Sequence, residues 1–446
     1  MDLAHQLAWW SVLPFAGMLL SIAVMPLVAH HFWERNRNKA LVSGLFAVPL
    51  ATWLVLSFAD EGVRELLERG HEYAAFITLL GSLYVITGGI HVRGSLAGTP
   101  LVNTVLLALG GLLASFIGTT GASVLLVRPL LRANAPRERK VHIVVFFIFI
   151  VANCGGLLTP LGDPPLFLGF LKGVPFEWTF GLWKPWLVVN GALLAIFNVW
   201  DQVVLAREER ERPGSQLEAV LEHEPLGVEG RHNFLFLAGV VAVIYAAGRG
   251  FGAQGGVWIP GVQEGLMAAL AVASYVSTDE QVRRRNQFGF APIAEVAILF
   301  AGIFVTMAPA LLLLNLHAES LGVNRTWEFF WATGVLSSFL DNAPTYLTFA
   351  AAAAGLADVP LEGRYLAELL ARGAPHAQVL AAISCGAVFM GANTYIGNGP
   401  NFMVKAIAEE RGVRMPSFFG YMAYSVTILV PVFFLVTWLF FCGPGS

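Results

Sequence analysis

Long runs of apolar residues separated by short polar segments make up most of the chain. Runs of about 20 such residues predict helices that cross a membrane. Two further apolar stretches, near residues 100–131 and 327–356, each carry a polar break midway and predict re-entrant hairpins. In the second stretch, neither arm is much more than half of the roughly 20 residues that a spanning helix needs. The predicted crossings lie near residues 7–29, 40–58, 74–90, 141–172 (broken), 182–204, 233–249, 262–277, 289–314, 376–410 (broken) and 417–441.

The break in the second hairpin places an acid, an amide and a proline at membrane depth. Residues 338–345 read SFLDNAPT, which puts Asp341 and Asn342 in the middle of the apolar segment. A lipid-facing carboxylate at this depth costs at least about 2.5–3.5 kcal/mol. Backbone groups freed by a break are tolerated only when protein or a water-filled cavity surrounds them. We therefore predict that this tip faces an internal site.

The same features occur a second time, earlier in the chain. Residues 115–121 read SFIGTTG and match the start of the second hairpin tip. Each hairpin is followed by an interrupted segment, GLLTPLGDPP at 156–165 and GANTYIGNGP at 391–400. Aligned without gaps, these segments share the pairs Gly156/Gly391, Thr159/Thr394, Gly162/Gly397 and Pro165/Pro400. Interrupted segments at corresponding positions of two halves are typical of transporters built from inverted repeats.

Composition agrees with an all-α polytopic membrane protein. The 446 residues are 56% hydrophobic and only 13% charged, with a mean hydropathy of +0.66, whereas a soluble domain has about 25% charged residues. The first apolar run lacks a basic start and a clear cleavage site, which favours a retained helix over a signal peptide. The three cysteines lie in or at the end of apolar segments without framework spacing, so no disulfide, metal centre or cofactor is expected.

The distribution of basic residues predicts the orientation of the chain. If the loop after the first helix is cytoplasmic, the predicted cytoplasmic segments hold 19 of the 27 Lys and Arg residues. Both termini then lie outside, the first hairpin enters from the cytoplasm, and the second enters from the opposite side. We expect a multi-pass protein of the cell inner membrane with two inverted halves.

This map divides the chain into five parts. Two groups of helices outside the repeat are expected to form a scaffold or an oligomer interface, and a charged cytoplasmic linker, with a short amphipathic helix near 216–221, separates the halves. The predicted parts are scaffold helices 1–73, first repeat 74–204, linker 205–232, scaffold helices 233–288 and second repeat 289–446.

Two acids at the breaks are the leading candidates for chemistry. Asp163 lies between Gly162 and two prolines that begin a new half-helix, where freed carbonyls and a carboxylate can coordinate a cation such as Na⁺. Asp341 could bind a proton or a cation at the hairpin tip, with Asn342 as a neutral oxygen ligand. Either acid could instead cap the half-helix that follows it, and the two roles are compatible.

Neutral oxygens and two further charges complete the set of candidates. Glu295 lies one to two turns inside a crossing and could relay protons, pair with a basic residue of another helix, or reach the membrane surface. Lys405 could stay charged in the site or reach the surface. The neutral candidate ligands are Thr119, Asn342, Thr159, Asn393, Thr394 and Asn398, with Ser115, Thr120 and Asn401 less favoured.

These motifs resemble the ion transporter superfamily, within it the NhaD-type sodium/proton antiporters and the citrate-transporter-like/arsenite permease group. The resemblance covers most of the chain from about residue 74 and is carried by TPLGD at 159–163, DNAP at 341–344, Glu295 with the apolar run after it, and NTYIGNGP at 393–400. It implies a homodimer in which a scaffold holds a transport domain that contains both hairpins and moves like an elevator. Dicarboxylate carriers of this superfamily have Ser-Asn-Thr at both tips, and this chain lacks that pattern, which favours the antiporter.

Three functions from different classes can be compared. The first is Na⁺(Li⁺)/H⁺ antiport, with monovalent cations and protons as the partners and no enzymatic activity or nucleic-acid binding. The alternative is Na⁺-coupled uptake of a di- or tricarboxylate, bound by backbone N–H groups at half-helix N-termini. An intramembrane aspartyl protease also needs two embedded acids, but the chain has no Tyr-Asp pair, so this class is disfavoured.

Overall fold

The computed structural model describes residues 3–94, 97–211, 227–252 and 258–442, without the side chains of Leu27 and His30. This part of the chain is almost entirely helical. Its α-helices are α1 Leu3–Gln6, α2 Leu13–Val28, α3 His30–Trp33, α4 Asn36–Thr87, α5 Pro100–Ile117, α6 Thr119–Ala133, α7 Val141–Ile150, α8 Pro164–Leu171, α9 Trp183–Glu211, α10 Asn233–Arg249, α11 Val262–Ser277, α12 Glu280–Arg285, α13 Ala291–Leu316, α14 Thr326–Phe339, α15 Asn342–Leu356, α16 Tyr365–Ala371, α17 Ala374–Met390, α18 Gly399–Glu410 and α19 Phe418–Val436.

Eight helical segments of the described ranges are long and apolar enough to cross a membrane. This confirms the predicted all-α polytopic class. The count is below the predicted ten because the crossings near 40–58 and 74–90 both lie in α4, which is interrupted at Ala59 (φ 45°). In addition, α10 and α11 have only 17 and 16 residues, whereas α5, predicted as one arm of a hairpin, is long enough to be counted.

Helices α4 and α13 pack against each other in antiparallel directions. The Tyr84 hydroxyl donates to Gly289 O and the Tyr73 hydroxyl donates to Ala297 O, each at 2.9 Å. Close to the Tyr73 bond along both helices, the rings of Phe76 and Phe300 stack with their centroids 4.7 Å apart. Tyrosines satisfied by carbonyls, together with stacked rings, hold two long apolar helices in one register.

Each segment predicted as a hairpin consists of two helices joined at the predicted break. Gly118 joins α5 to α6 with a φ of +80°, a conformation that a residue with a Cβ rarely adopts. In the second hairpin α14 ends at Phe339, and Asp341 caps α15. The interrupted segments are α7 and α8 joined through the 3₁₀ turn Cys154–Leu158, and α17 and α18 joined through Gly391–Asn393.

Both described ends of the segment predicted as a linker lie in regular elements. Helix α9 continues to Glu211, beyond the predicted end at 204, because Glu208 is buried and accepts from Arg137 Nε at 3.2 Å. After the gap in the described ranges, the strand β2, Gly227–Glu229, pairs antiparallel with β1, His91–Arg93. The amphipathic helix predicted near 216–221 lies outside the described residues.

Candidate functional site

Asp163 lies at the point where both hairpin tips and both interrupted segments meet. Its side chain is buried, with 1% of the residue exposed. Thr119 Oγ1 donates to Asp163 Oδ1 at 2.9 Å, and Asn342 Nδ2 donates to Oδ2 at 2.5 Å. Asn398 Nδ2 donates to Oδ1 at 3.2 Å. The structure thus places four of the predicted ligands in direct contact, around one carboxylate.

These four residues form two repeat-equivalent pairs. The alignment of the interrupted segments places Asp163 opposite Asn398, and that of the hairpin tips places Thr119 opposite Asn342. Asp163 (φ −146°, ψ 145°) and Asn398 (φ −152°, ψ 139°) have nearly the same backbone conformation, and each precedes a helix with proline in its first two positions. The four positions are therefore related by the pseudo-twofold symmetry of the repeats, but only position 163 carries an acid.

The threonines shared by the repeats fasten each interrupted segment to its hairpin. Thr159 Oγ1 donates to Ser115 O, and Thr394 Oγ1 donates to Ser338 O at 2.5 Å. Each hydroxyl also accepts from the amide two residues later, at 3.1 and 3.2 Å. Among the described contacts, both therefore bind backbone rather than the Asp163 carboxylate.

The glycines shared by the repeats allow the two ends of each interruption to approach. A Cβ on Gly162 would lie 2.0 Å from Gly156 O, and a Cβ on Gly397 would lie 2.6 Å from Gly391 O. Real Cβ atoms do not come this close to a carbonyl oxygen. Glycine at these positions lets the chain close a tight loop that points its next residue, Asp163 or Asn398, into the site.

Two amide oxygens near the tips have no hydrogen-bond partner among the described residues. Asn342 is fully buried, and its Oδ1 has no partner among the described residues, although its Nδ2 binds Asp163. Asn393 donates to Ser338 Oγ at 2.9 Å, and its Oδ1 is likewise buried without a described partner. A buried oxygen without a donor costs about 1–3 kcal/mol, so such a group at a polar site points to a ligand.

Asp341 has a different role in the geometry from Asp163. Its Oδ1 accepts from the Ala343 amide at 3.1 Å and caps α15. It lies near enough to Asp163 for the two carboxylates to repel each other, but no hydrogen bond joins them. Helix capping is one of the two roles that the sequence predicts for Asp341. In this role Asp341 lies beside the four-residue cluster and not within it.

The two charged candidates outside the breaks lie elsewhere. Glu295 Oε1 pairs with Lys39 Nζ at 2.6 Å, so Glu295 is the salt partner of a basic residue on another helix, and its side chain is 41% exposed. Lys405 Nζ pairs with Glu409 Oε1 at 2.9 Å, one turn further along α18. The structure does not bring either residue into contact with Asp163.

Sequence reasoning missed Asn153 and gave Asn401 little weight. Asn153 Nδ2 donates to Asn401 Oδ1 at 2.6 Å, and Asn153 Oδ1 accepts from Asn398 Nδ2 at 3.2 Å. Asn401 in turn donates to the Gly391 and Thr394 carbonyls at 2.8 and 2.9 Å. This chain of amides links the two interrupted segments behind the carboxylate. The sequence signal that could have identified Asn153 is its position: it is an amide inside the apolar run 141–158, just before the interruption.

A cavity of about 80 Å³ reaches the site from one side. One wall is formed by the first hairpin tip and the first interruption, and the other by α4 and α13. The lining consists of apolar, glycine, tyrosine and threonine residues, with no Lys, Arg or His: Leu80, Leu83, Tyr84, Ile117, Gly118, Thr119, Thr120, Gly121, Leu161, Gly162, Pro164, Pro292, Ile293 and Val296.

Paired hairpins and interrupted helices that converge on a buried polar site define a polytopic membrane protein of the transporter type. A family model described as "Putative citrate transport" matches residues 4–441. The chain belongs to this family and is a multi-pass secondary transporter. No curated protein matches the chain significantly.

Proposed function

We propose that the protein is a Na⁺(Li⁺)/H⁺ antiporter in which Asp163 binds the cation and the proton in competition. The observation that carries the proposal is a single buried carboxylate held by three neutral donors, next to the unpartnered Oδ1 of Asn342. A carboxylate with neutral oxygens suits a hard monovalent cation, which prefers oxygen ligands. In this assignment Asn342 Oδ1 is a ligand, and Thr119 and Asn398 orient the carboxylate.

Competition for one carboxylate couples the two ions without a separate device. A cation or a proton neutralises Asp163, and a neutralised site crosses the membrane at lower cost than a bare buried charge. Return of the empty, charged site is correspondingly disfavoured, so one ion is exchanged for the other. Asp341, close to Asp163, raises the negative potential that attracts the cation.

The remaining parts of the proposal follow the resemblance to antiporters. The hairpins and the interrupted segments would move together against the scaffold helices of residues 1–73 and 233–288. The protein would act as a homodimer in the cell inner membrane with both termini outside.

A second candidate is Na⁺-coupled uptake of a di- or tricarboxylate such as citrate. The description of the family favours it, and the first turns of α6 and α15 at the hairpin tips offer backbone N–H groups to an anion. The cavity lining weighs against it, because no basic side chain is present there to balance a polyanion. In this mechanism Asp163 would still bind Na⁺, which would be the coupling ion.

The two candidates separate in everted vesicles from cells that lack other antiporters. With an acid interior established, NaCl, LiCl, KCl, or citrate with and without Na⁺ is added at several pH values. The parent is compared with Asp163→Asn, Asp341→Asn and the exposed control Glu211→Gln.

Under antiport, Na⁺ or Li⁺ dissipates the gradient in the parent and in Glu211→Gln, and Asp163→Asn abolishes the response. If cations alone have no effect while labelled citrate enters with Na⁺, carboxylate uptake replaces antiport. A full cation response in Asp163→Asn would refute the assignment of the site.

A further inference from the structure

Asn398 occupies the position in the second repeat that Asp163 occupies in the first. The two residues differ only in an amide nitrogen for a carboxylate oxygen, and their backbones have nearly the same conformation. Asn398 Nδ2 meets Asp163 Oδ1 at 3.2 Å. A carboxylate at position 398 would therefore enter the same site with no change in side-chain volume.

The surroundings of the Asn398 amide show what that change would do. Besides Asp163 Oδ1, Nδ2 donates to Ala152 O and to Asn153 Oδ1, both at 3.2 Å. Replacing this nitrogen with an oxygen would bring four oxygens together and remove the donor that now lies between them. Several oxygens that include two carboxylates are the ligands that divalent cations select.

We propose that Asn398 determines the charge of the cation that the site accepts. One acid in the equivalent pair 163/398 gives a site for a monovalent cation, and two acids give a site for a divalent cation. The charge of the accepted cation depends on the number of acids in this pair and not on which repeat supplies them. This inference rests on the proposed function, in which Asp163 is the cation ligand.

Four purified proteins test it: the parent, Asp163→Asn, Asn398→Asp and the exchange variant Asp163→Asn/Asn398→Asp. Thermal unfolding in detergent is followed against NaCl, LiCl and MnCl₂ at constant ionic strength, since a ligand that binds the folded state raises Tm. Asn198→Asp adds an acid on α9, where Asn198 donates to Thr104 Oγ1 at 2.9 Å and makes no contact with Asp163. It controls for negative charge in general.

The expected pattern has three parts. Asp163→Asn loses the Tm shift with Na⁺ and Li⁺, and the exchange variant regains it. Asn398→Asp reaches its half-maximal shift with Mn²⁺ at a concentration at least tenfold below that of the parent. Asn198→Asp behaves like the parent with all three salts.

Two results would overturn the proposal while leaving the proposed function intact. One is a folded exchange variant without a Na⁺ shift, when the parent shows the shift and Asp163→Asn does not. The other is an Asn398→Asp protein with no gain for Mn²⁺, and this result decides the matter if the exchange variant fails to fold. A parent without any monovalent shift would remove the proposed function and this inference together.

Discussion

The donors that hold Asp163 are all neutral: one hydroxyl and two amides. A basic partner would stabilise the ionised carboxylate permanently and compete with any cation, whereas neutral donors orient the carboxylate and leave its charge available. Asn342 contributes in two ways, because its nitrogen binds Asp163 and its oxygen has no described partner.

Asn342→Ala should weaken cation binding without abolishing transport. The substitution removes one ligand oxygen and one orienting donor but keeps the carboxylate, so we expect the KM for Na⁺ to rise about tenfold, equivalent to about 1.4 kcal/mol. Initial rates of Na⁺-driven gradient loss measure this. Asn198→Ala, remote from the carboxylate, is the matched control. An unchanged KM in Asn342→Ala would show that Asn342 is not a ligand.

Acidification should weaken apparent cation affinity through the same carboxylate. Protonated Asp163 cannot bind Na⁺, so lowering the pH raises the KM for Na⁺, by about tenfold per pH unit once the protonated form dominates. The maximal rate at saturating Na⁺ should change much less, because enough cation displaces the proton. Rates at several Na⁺ concentrations between pH 6 and 9 test this. A KM that falls on acidification would contradict simple competition.

Each hairpin and its interrupted segment form one unit, and the unit occurs twice with the same contacts. Thr159 and Thr394 bind the hairpin carbonyls, and the glycine pairs close each interruption. These small residues leave little room for substitution, since the atoms opposite them belong to the backbone.

Gly162→Ala should lower stability and transport together. Its Cβ would meet Gly156 O at 2.0 Å, and relief requires opening of the loop that positions Asp163, so we expect a loss of about 1–3 kcal/mol. Gly191→Ala on α9 has no atom within 4 Å of its new Cβ and should change Tm little. Thermal unfolding and Na⁺-driven transport of both variants provide the comparison. Equal Tm values would show that the interruption is not tightly closed.

The sequence predicted the elements well because membrane burial leaves a strong signal. Apolar length located the helices, and a polar break inside an apolar run located both hairpins. It predicted Asp163 and Asn342 as ligands from their place at those breaks, and the structure brings them into contact. It could not assign Glu295 to Lys39 or foresee the Asn153 contacts, because these partners lie far apart in the chain and no local pattern encodes them.

At the scale of the whole protein, a network of ion pairs joins α4 to Lys172 at the end of α8. Lys172 Nζ pairs with Glu72 Oε1, and Arg69 binds Glu72 Oε2 and Glu65 Oε1, each at 2.8 Å. The Arg69 and Lys172 side chains are only 4% and 6% exposed. Buried charges are tolerated when paired, so each member depends on the others.

Lys172→Met should destabilise the protein more than the double change Lys172→Met/Glu72→Met. The single substitution leaves Arg69 to balance two partly buried acids and should cost about 3 kcal/mol, whereas the double change keeps the Arg69–Glu65 pair. At the exposed pair Arg139–Glu211, Arg139→Met should cost less than about 1 kcal/mol. Tm values of both single variants, Lys172→Met and Glu72→Met, and of the double variant decide. Additive effects of the two substitutions would show that Lys172 and Glu72 do not interact.

Cys442 provides a natural test of the predicted orientation. It is exposed, whereas Cys154 and Cys385 are buried. A membrane-impermeant maleimide should label it in intact spheroplasts, because both termini are predicted to lie outside. Arg284→Cys in a Cys442→Ser background should be labelled only in everted vesicles. The reverse pattern would invert the predicted topology.

The convergence of both repeats on Asp163 also has a consequence for how the chain is made. Asn342 lies 179 residues after Asp163, and Asn398 lies 235 residues after it. During synthesis, the first half therefore enters the membrane with a carboxylate whose only site partner yet translated is Thr119. The site is complete only when the second half has inserted and docked against the first. The residues proposed to bind the ion would thus also report that assembly of the two halves is complete.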